Sequence, residues 1–319
     1  MLCGCSHRVS RFVSFPLVVC LGLAVGLLGC RSLSTGGESA ENLPGIQLPA
    51  YVPGTTDSTT IPLRVMSYNV RFNNPDDSAW VERSPQVASM IRFHEPAVVG
   101  TQEGQLHQLM DLTGQLDHYQ RVGLGRNTSG GGEFSALLYQ ATRLELLEYD
   151  TFWLSETPQE PGTQGWDGAF PRIATWARFR DRITDDIFLL VNTHFDHRGG
   201  TARTESARLL QQKISEIRGD VPVVLMGDLN SEPEDEPIQI LTAADAPVSL
   251  QDTRAVSESP PHGPESTYNA FGFSVEEDRR IDYVFTSPGV RVLRQGHLPA
   301  RWRSTFPSDH LPVVADLLF

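Results

Sequence analysis

The hydrophobic pattern changes period again and again after residue 60. LRVMSYNV (63–70) reads as a strand. ERSPQVASMIRFH (82–94) puts Val87, Met90 and Ile91 at helical spacing, and Pro96 ends it. A short buried strand follows at 97–100, then a helix over 104–116 with Leu106, Leu109 and Met110 on one face. The segments 134–140, 143–154, 173–180 and 186–195 read as strands, several with period two. The clearest helix is 202–219, where Leu209, Leu210, Ile214 and Ile217 recur and Gly219 is the expected C-cap. VPVVLMG, RIDYVFTS and PVVADLLF are later strands. Strands dominate, and several follow one another with no helix between. That disfavours a purely parallel sheet and predicts an α/β fold of two packed sheets covered by a few helices.

Before residue 61 no such period exists. Arg8 and Arg11 precede the apolar run FPLVVCLGLAVGLLGC, and no acid occurs before Glu38. The run is short for a membrane span and suits a signal peptide. Its end, LLGC, resembles a lipobox, so residues 1–29 are expected to be a lipoprotein signal peptide and Cys30 the lipidated residue. A signal anchor or a cleaved leader without lipid is the alternative. Residues 30–60 are rich in Ser, Thr, Gly and Pro and read as a flexible tether. Residues 61–319 then form the folded domain, exported and held on a membrane through the N-terminal lipid, on the periplasmic or cell-surface side.

Composition sharpens this picture in two places. All four cysteines, Cys3, Cys5, Cys20 and Cys30, lie in the leader, so the mature domain has no disulfide. The formal net charge of −13 becomes −15 once Arg8 and Arg11 are removed. With no Lys/Arg-rich run, tight binding of long duplex DNA is disfavoured. No protein partner is implied, and a monomer is expected.

The candidate chemistry sits at the ends of the apolar runs. Asn69 ends the first strand, Glu103 follows PAVVGTQ, and His194 ends IFLLVNTH. Asp228 and Asn230 close VPVVLMGDLN, and Asp309 and His310 precede the last strand. One carboxylate after a strand is an ordinary turn residue. Asp282 is different, because an acid inside IDYVF is costly to bury without a partner. Such a series suggests that several strands deliver oxygen ligands to one place. Asn, Asp and Glu suit Mg²⁺ or Mn²⁺ better than zinc. In HFDH a strand would put His194 and Asp196 on one face and His197 on the other, so both histidines would share an ion only at a sharp turn.

SYN, GTQE, NTHFDH, GDLN, RIDYVF and SDHLPV, in this order over 62–319, resemble the endonuclease/exonuclease/phosphatase superfamily. The stretch 152–179 is most similar to a bacterial branch related to the deadenylases. The resemblance implies a two-layer β-sandwich flanked by helices, α/β/β/α, with the active site along one edge. It implies metal ligation by Glu103 with Asn69 and Asp309 nearby. Asp228 and Asn230 would position or deprotonate the attacking water. Asp282 would pair with His310, His194 would bind a phosphate oxygen, and Arg172 and Asn230 would also contact phosphate. Asp196 and His197 would orient His194 or line the pocket.

The function expected is Mg²⁺- or Mn²⁺-dependent hydrolysis of a phosphate ester, mono or di. The contrasting class is a binding lipoprotein on a dead version of the fold, which would have lost some of these motifs. Single-stranded nucleic acid, a nucleotide or sugar phosphate, and a phospholipid all stay open as substrates. Phe152, Trp153 and Trp166 could stack bases or serve as core.

Overall fold

The period-two segments pair into two six-stranded sheets in a computed structural model, which describes residues 61–74, 79–272, 279–302 and 305–319. The leader and tether expected over 1–60 lie outside the described residues. In chain order the elements are β1 (Leu63–Asn69), α1 (Trp80–His94), β2 (Val98–Gln102), α2 (Leu106–Gln115), β3 (Tyr119–Val122) and β4 (Ala136–Gln140). They continue as β5 (Leu144–Trp153), β6 (Ile173–Asp181), β7 (Ile187–His194), α3 (Gly200–Ile217), β8 (Val223–Asp228) and α4 (Glu236–Thr242). The last are β9 (Gln251–Asp252), α5 (Thr253–Val256), β10 (Asp282–Thr286), β11 (Arg291–His297) and β12 (Val313–Leu318). One sheet runs β11-β12-β1-β2-β4-β3 and the other β5-β6-β7-β8-β10-β9. No helix among the described residues is long and apolar enough to cross a membrane.

Alternation along each strand decides what each face meets. Leu63 and Val65 of β1 join Phe188 and Leu190 of β7, Val224 and Met226 of β8 and Val284 of β10 in one buried cluster between the sheets. Met66 and Tyr68 face the other way and pack with Val87 and Ile91 of α1 and Leu109 of α2. Leu189, Val191, Val223 and Leu225 likewise pack against Leu210 and Ile214 of α3 and Leu241 of α4. Each sheet thus buries both faces, giving the expected α/β/β/α layers.

The core between the sheets changes character toward one end. After Val65 the inward β1 positions are Ser67 and Asn69, and after Leu190 those of β7 are Asn192 and His194. Gln102 Nε2 donates to Asn192 Oδ1 at 2.7 Å and to Ser67 Oγ at 3.2 Å, which ties this polar layer together across the sheets. Gly100 lets the sheets close here. A Cβ on it would lie 2.5 Å from Met226 Sδ.

Two helices differ in detail from the sequence reading. On α2 the buried residues are Gln108, Leu109 and Leu112, while Leu106 and Met110 are 46% and 60% exposed. Gln108 turns the helix inward, since its amide donates to Arg71 O at 2.9 Å and accepts from Asn73 N at 3.1 Å. Helix α3 has its C-cap at Arg218, and Gly219 takes the left-handed φ of 61° just beyond. The strands β3 and β11 and the helix α4 had no clear periodic signal.

Candidate active site

Registers place the polar strand ends side by side. His194 on β7 is paired with Asp228 on β8, and Asp228 with Asp282 on β10. In the facing sheet Asn69 on β1 is paired with Gln102 on β2, and Glu103 follows with a left-handed φ of 61°. The inward faces of both sheets therefore end in one cluster, which His310 and Asp309 enter from the segment before β12.

Asn69 joins the two sheets. Its Nδ2 donates to Glu103 Oε1 and to Asp228 Oδ2, each at 3.0 Å. Its Oδ1 accepts from Arg71 N at 3.0 Å, so the side-chain nitrogen faces the carboxylates. Arg71 Nη1 lies 3.6 Å from Glu103 Oε2 and 3.5 Å from Asp309 Oδ2. One oxygen or nitrogen each of Glu103, Asp228 and His310 lie within 4.8 Å of one another.

Asp282 accepts from His310 Nδ1 at 2.8 Å, and both side chains are buried. Burial alone favours a neutral imidazole, but Asp282 and then Asp228 overcome it and hold His310 well above its ordinary pKa. Asp228 is itself pushed up, first by burial and then by Asp282. The second oxygen of Asp282, Oδ1, has no partner among the described residues.

His194 has the opposite electrostatics. Arg172 Nη1 donates to its Nδ1 at 2.9 Å. A guanidinium can only donate, so Nδ1 accepts and the ring proton sits on Nε2. Burial first, then Arg172 and Arg126, hold His194 well below its ordinary pKa, so it is a neutral donor. Asn230 Nδ2 lies 3.1 Å from that Nε2 and donates to Phe195 O at 3.0 Å, while Asn230 N donates to Asp228 Oδ1 at 3.0 Å. Arg172 is 6% exposed and reaches three residues of HFDH: His194, His197 Nδ1 at 3.0 Å and Asp196 at 3.4 Å. The two histidines of that motif do converge, but on a guanidinium. Asp196 is buried, which opposes ionisation, yet the Gly199 and Arg198 amides and Arg172 bring it down to about 2.

Glu103, Arg172, His194, His197, Asp228, Asn230, Asp309 and His310 line a cleft of about 480 Å³, with Asn69, Asp196 and Asp282 behind them. Its wall includes residues with no strand-end signal: Arg71, Phe72, Arg126, Glu133, Phe170 and Tyr268. The glycine run in GRNTSGGGEF was the one sequence sign of a built loop at Arg126 and Glu133. The aromatics named from sequence as possible base platforms are elsewhere. Phe152 and Trp153 are each 4% exposed and belong to the interior, and Trp166 does not line the cleft; Phe170 does.

A divalent cation suits this donor set. Glu103, Asp228, Asp282 and Asp309 are all less than a tenth exposed. Arg71 and His310 face them as cations, so with all four carboxylates ionised two negative charges are left over, and burial of that excess is what pushes Asp228 and Asp309 up. The other arginines of the cleft have their own carboxylates: Arg172 with Asp196, Arg126 with Glu133 and Arg279 with Glu232. Excess buried negative charge on hard oxygens is what Mg²⁺ or Mn²⁺ would offset.

An endonuclease/exonuclease/phosphatase from Bacteroides vulgatus is 36% identical, covers 81% of this chain and 99% of its own, and superposes with a TM-score of 0.77. A Bacteroides thetaiotaomicron mannosyl-6-phosphatase is 37% identical, covers 81% of this chain and 100% of its own, and gives a TM-score of 0.76. Nocturnin of Drosophila melanogaster is 25% identical over 277 residues, 74% of this chain and 42% of its own length. The chain spans about half the length of the curated relatives it matches. The family model for the Endonuclease/Exonuclease/phosphatase family matches residues 66–310, a span that holds every carboxylate and histidine of the cluster, and the chain belongs to that family.

Proposed function

We propose that the protein is a divalent-metal-dependent phosphate-ester hydrolase, exported and anchored by lipid on Cys30. The observation that carries the activity is the pairing of a buried, net-negative cluster with a neutral histidine donor beside it. Glu103 would be the main ligand of Mg²⁺ or Mn²⁺ with Asp309 nearby, and Asn69, whose nitrogen faces the carboxylates, would hold Glu103 in place and not ligate the ion as expected from sequence. When bound, the ion neutralises phosphate charge and the leaving oxygen. His310 is held as a cation by Asp282, so it serves as a donor to phosphate and not as a ligand. His194 offers its Nε2–H to a non-bridging oxygen, and Arg172 keeps that proton in place. Asp228, aligned by the Asn230 amide, orients the attacking water and takes its proton.

The likeness to a mannosyl-6-phosphatase supports a phosphomonoester of a carbohydrate. The test is turnover of simple phosphate esters by the exported protein, with Mg²⁺ or Mn²⁺ and with EDTA. Activity should require the ion, and Glu103→Gln should lower kcat by about 100-fold or more, equivalent to about 3 kcal/mol, with an unchanged melting curve. Full activity of metal-stripped protein would refute the reading.

A further inference from the structure

Resting on that reading, we propose that Arg126 and Glu133 form a subsite that reads hydroxyl groups on the alcohol esterified to phosphate. The preferred substrate class is then a polyhydroxylated, sugar-type phosphate monoester.

The pair is built into the cleft by its loop. Arg126 N donates to Glu133 O, Gly125 N to Gly130 O and Asn127 N to Gly131 O, each at 3.0 Å, so the two residues face each other across a tight hairpin. Glycine is required at 125, because a Cβ there would collide with the Gly131 carbonyl. Trp153 Nε1 donates to Arg126 O at 2.7 Å and pins one arm. Glu133 bridges to Gln105, two residues beyond Glu103, and this pins the other arm beside the cation-binding carboxylates. Arg126 Nη1 donates to Glu133 Oε2 at 2.7 Å, with the side chains 13% and 18% exposed. They are screened from bulk water and open to a ligand in the cleft.

The chemistry of the pair selects the ligand. A guanidinium only donates and a carboxylate only accepts. A group that engages both must offer an acceptor and a donor side by side, as neighbouring hydroxyls do. A nucleobase edge offers the same but also needs a stacking face. The aromatic rings of the cleft are already engaged: Phe170 by the Arg126 guanidinium 4.9 Å from its centroid and by His197 stacked at 5.9 Å and 18°, Phe72 by Arg71 at 4.7 Å and Tyr268 by Arg279 at 5.3 Å. An acyl chain fits worse. Among the described lining residues Ile281 is the one aliphatic side chain.

The test compares an aldohexose 6-phosphate, adenosine 5′-monophosphate and p-nitrophenyl phosphate as substrates with Mg²⁺, for the wild type, Glu133→Gln and Arg126→Lys. Melting curves check that the variants fold. The wild type should favour the hexose phosphate. Glu133→Gln should raise its KM about 10-fold or more, and lower its kcat/KM at least 10-fold further than that of the aryl phosphate. Arg126→Lys should shift the same ratio in the same direction. Equal losses on all three substrates, no loss, or a nucleotide preference that survives both substitutions overturns the subsite. A wild type that cleaves bis(p-nitrophenyl) phosphate but none of the three overturns the monoester subsite, and one that cleaves neither the three nor the diester, with metal present, overturns the phosphohydrolase reading itself.

Discussion

Asp282→Asn tests the charge logic of the site with the least change of shape. Asn still accepts from His310 Nδ1, which now lies 2.8 Å from Asp282 Oδ2, but the negative charge is gone. Replacing a charged partner by a neutral one costs about 1 kcal/mol at the hydrogen bond, and about 4 kcal/mol is the Coulomb bound for unit charges 4 Å apart at an effective dielectric of 20. That range corresponds to a fall of about one to three pKa units. The direction is set by the environment. Burial already pushes His310 toward its neutral form, and Asp282 is the largest influence against it. Activity that needs cationic His310 disappears as pH rises through its pKa. The basic limb of kcat/KM against pH should therefore move to lower pH by about one to three units at saturating Mg²⁺. Asp228 Oδ2, 3.7 Å from His310 Nε2, should keep some of the charge preference. His310→Ala should be severely impaired at every pH, and adding Asp282→Asn to it should cost little more, because the two act together. A basic limb that stays in place, or losses that multiply in the double variant, would show that Asp282 acts in another way.

Two further outcomes are expected. Arg83 is buried, and its guanidinium donates to the carbonyls of Val70 and Pro307 at 2.8 Å and of Arg71 at 3.0 Å, tying together the segments that carry Asn69 and Asp309. Arg83→Met should cost about 2–4 kcal/mol in urea unfolding and raise the half-maximal Mg²⁺ concentration about 10-fold; an unchanged Mg²⁺ titration would show that the clamp does not position the site. Cys30→Ser should abolish lipid attachment and release the protein from the membrane fraction, and a variant that still fractionates with membranes as before would show that Cys30 is not the anchor.

The strands, the layers and most of the polar cluster at the strand ends could be read from the chain by itself. Period two in LRVMSYN already separates Val65 and Asn69 from Met66 and Tyr68, and the structure puts the first pair between the sheets and the second under α1 and α2. An acid inside IDYVF already demanded a partner. These are local signals, carried by neighbours in sequence. Tertiary structure decided what depends on distant segments meeting. It showed that Arg172, on the wall of the cleft, also donates to His194 and holds His197 and Asp196. It placed Phe152 and Trp153 in the interior and Phe170 on the cleft. It brought Arg126 and Glu133 to the wall beside Glu103, although neither stands at a strand end. Alternation reports which face a residue lies on; the loop conformations and sheet registers that choose its neighbours are set by packing across the whole domain.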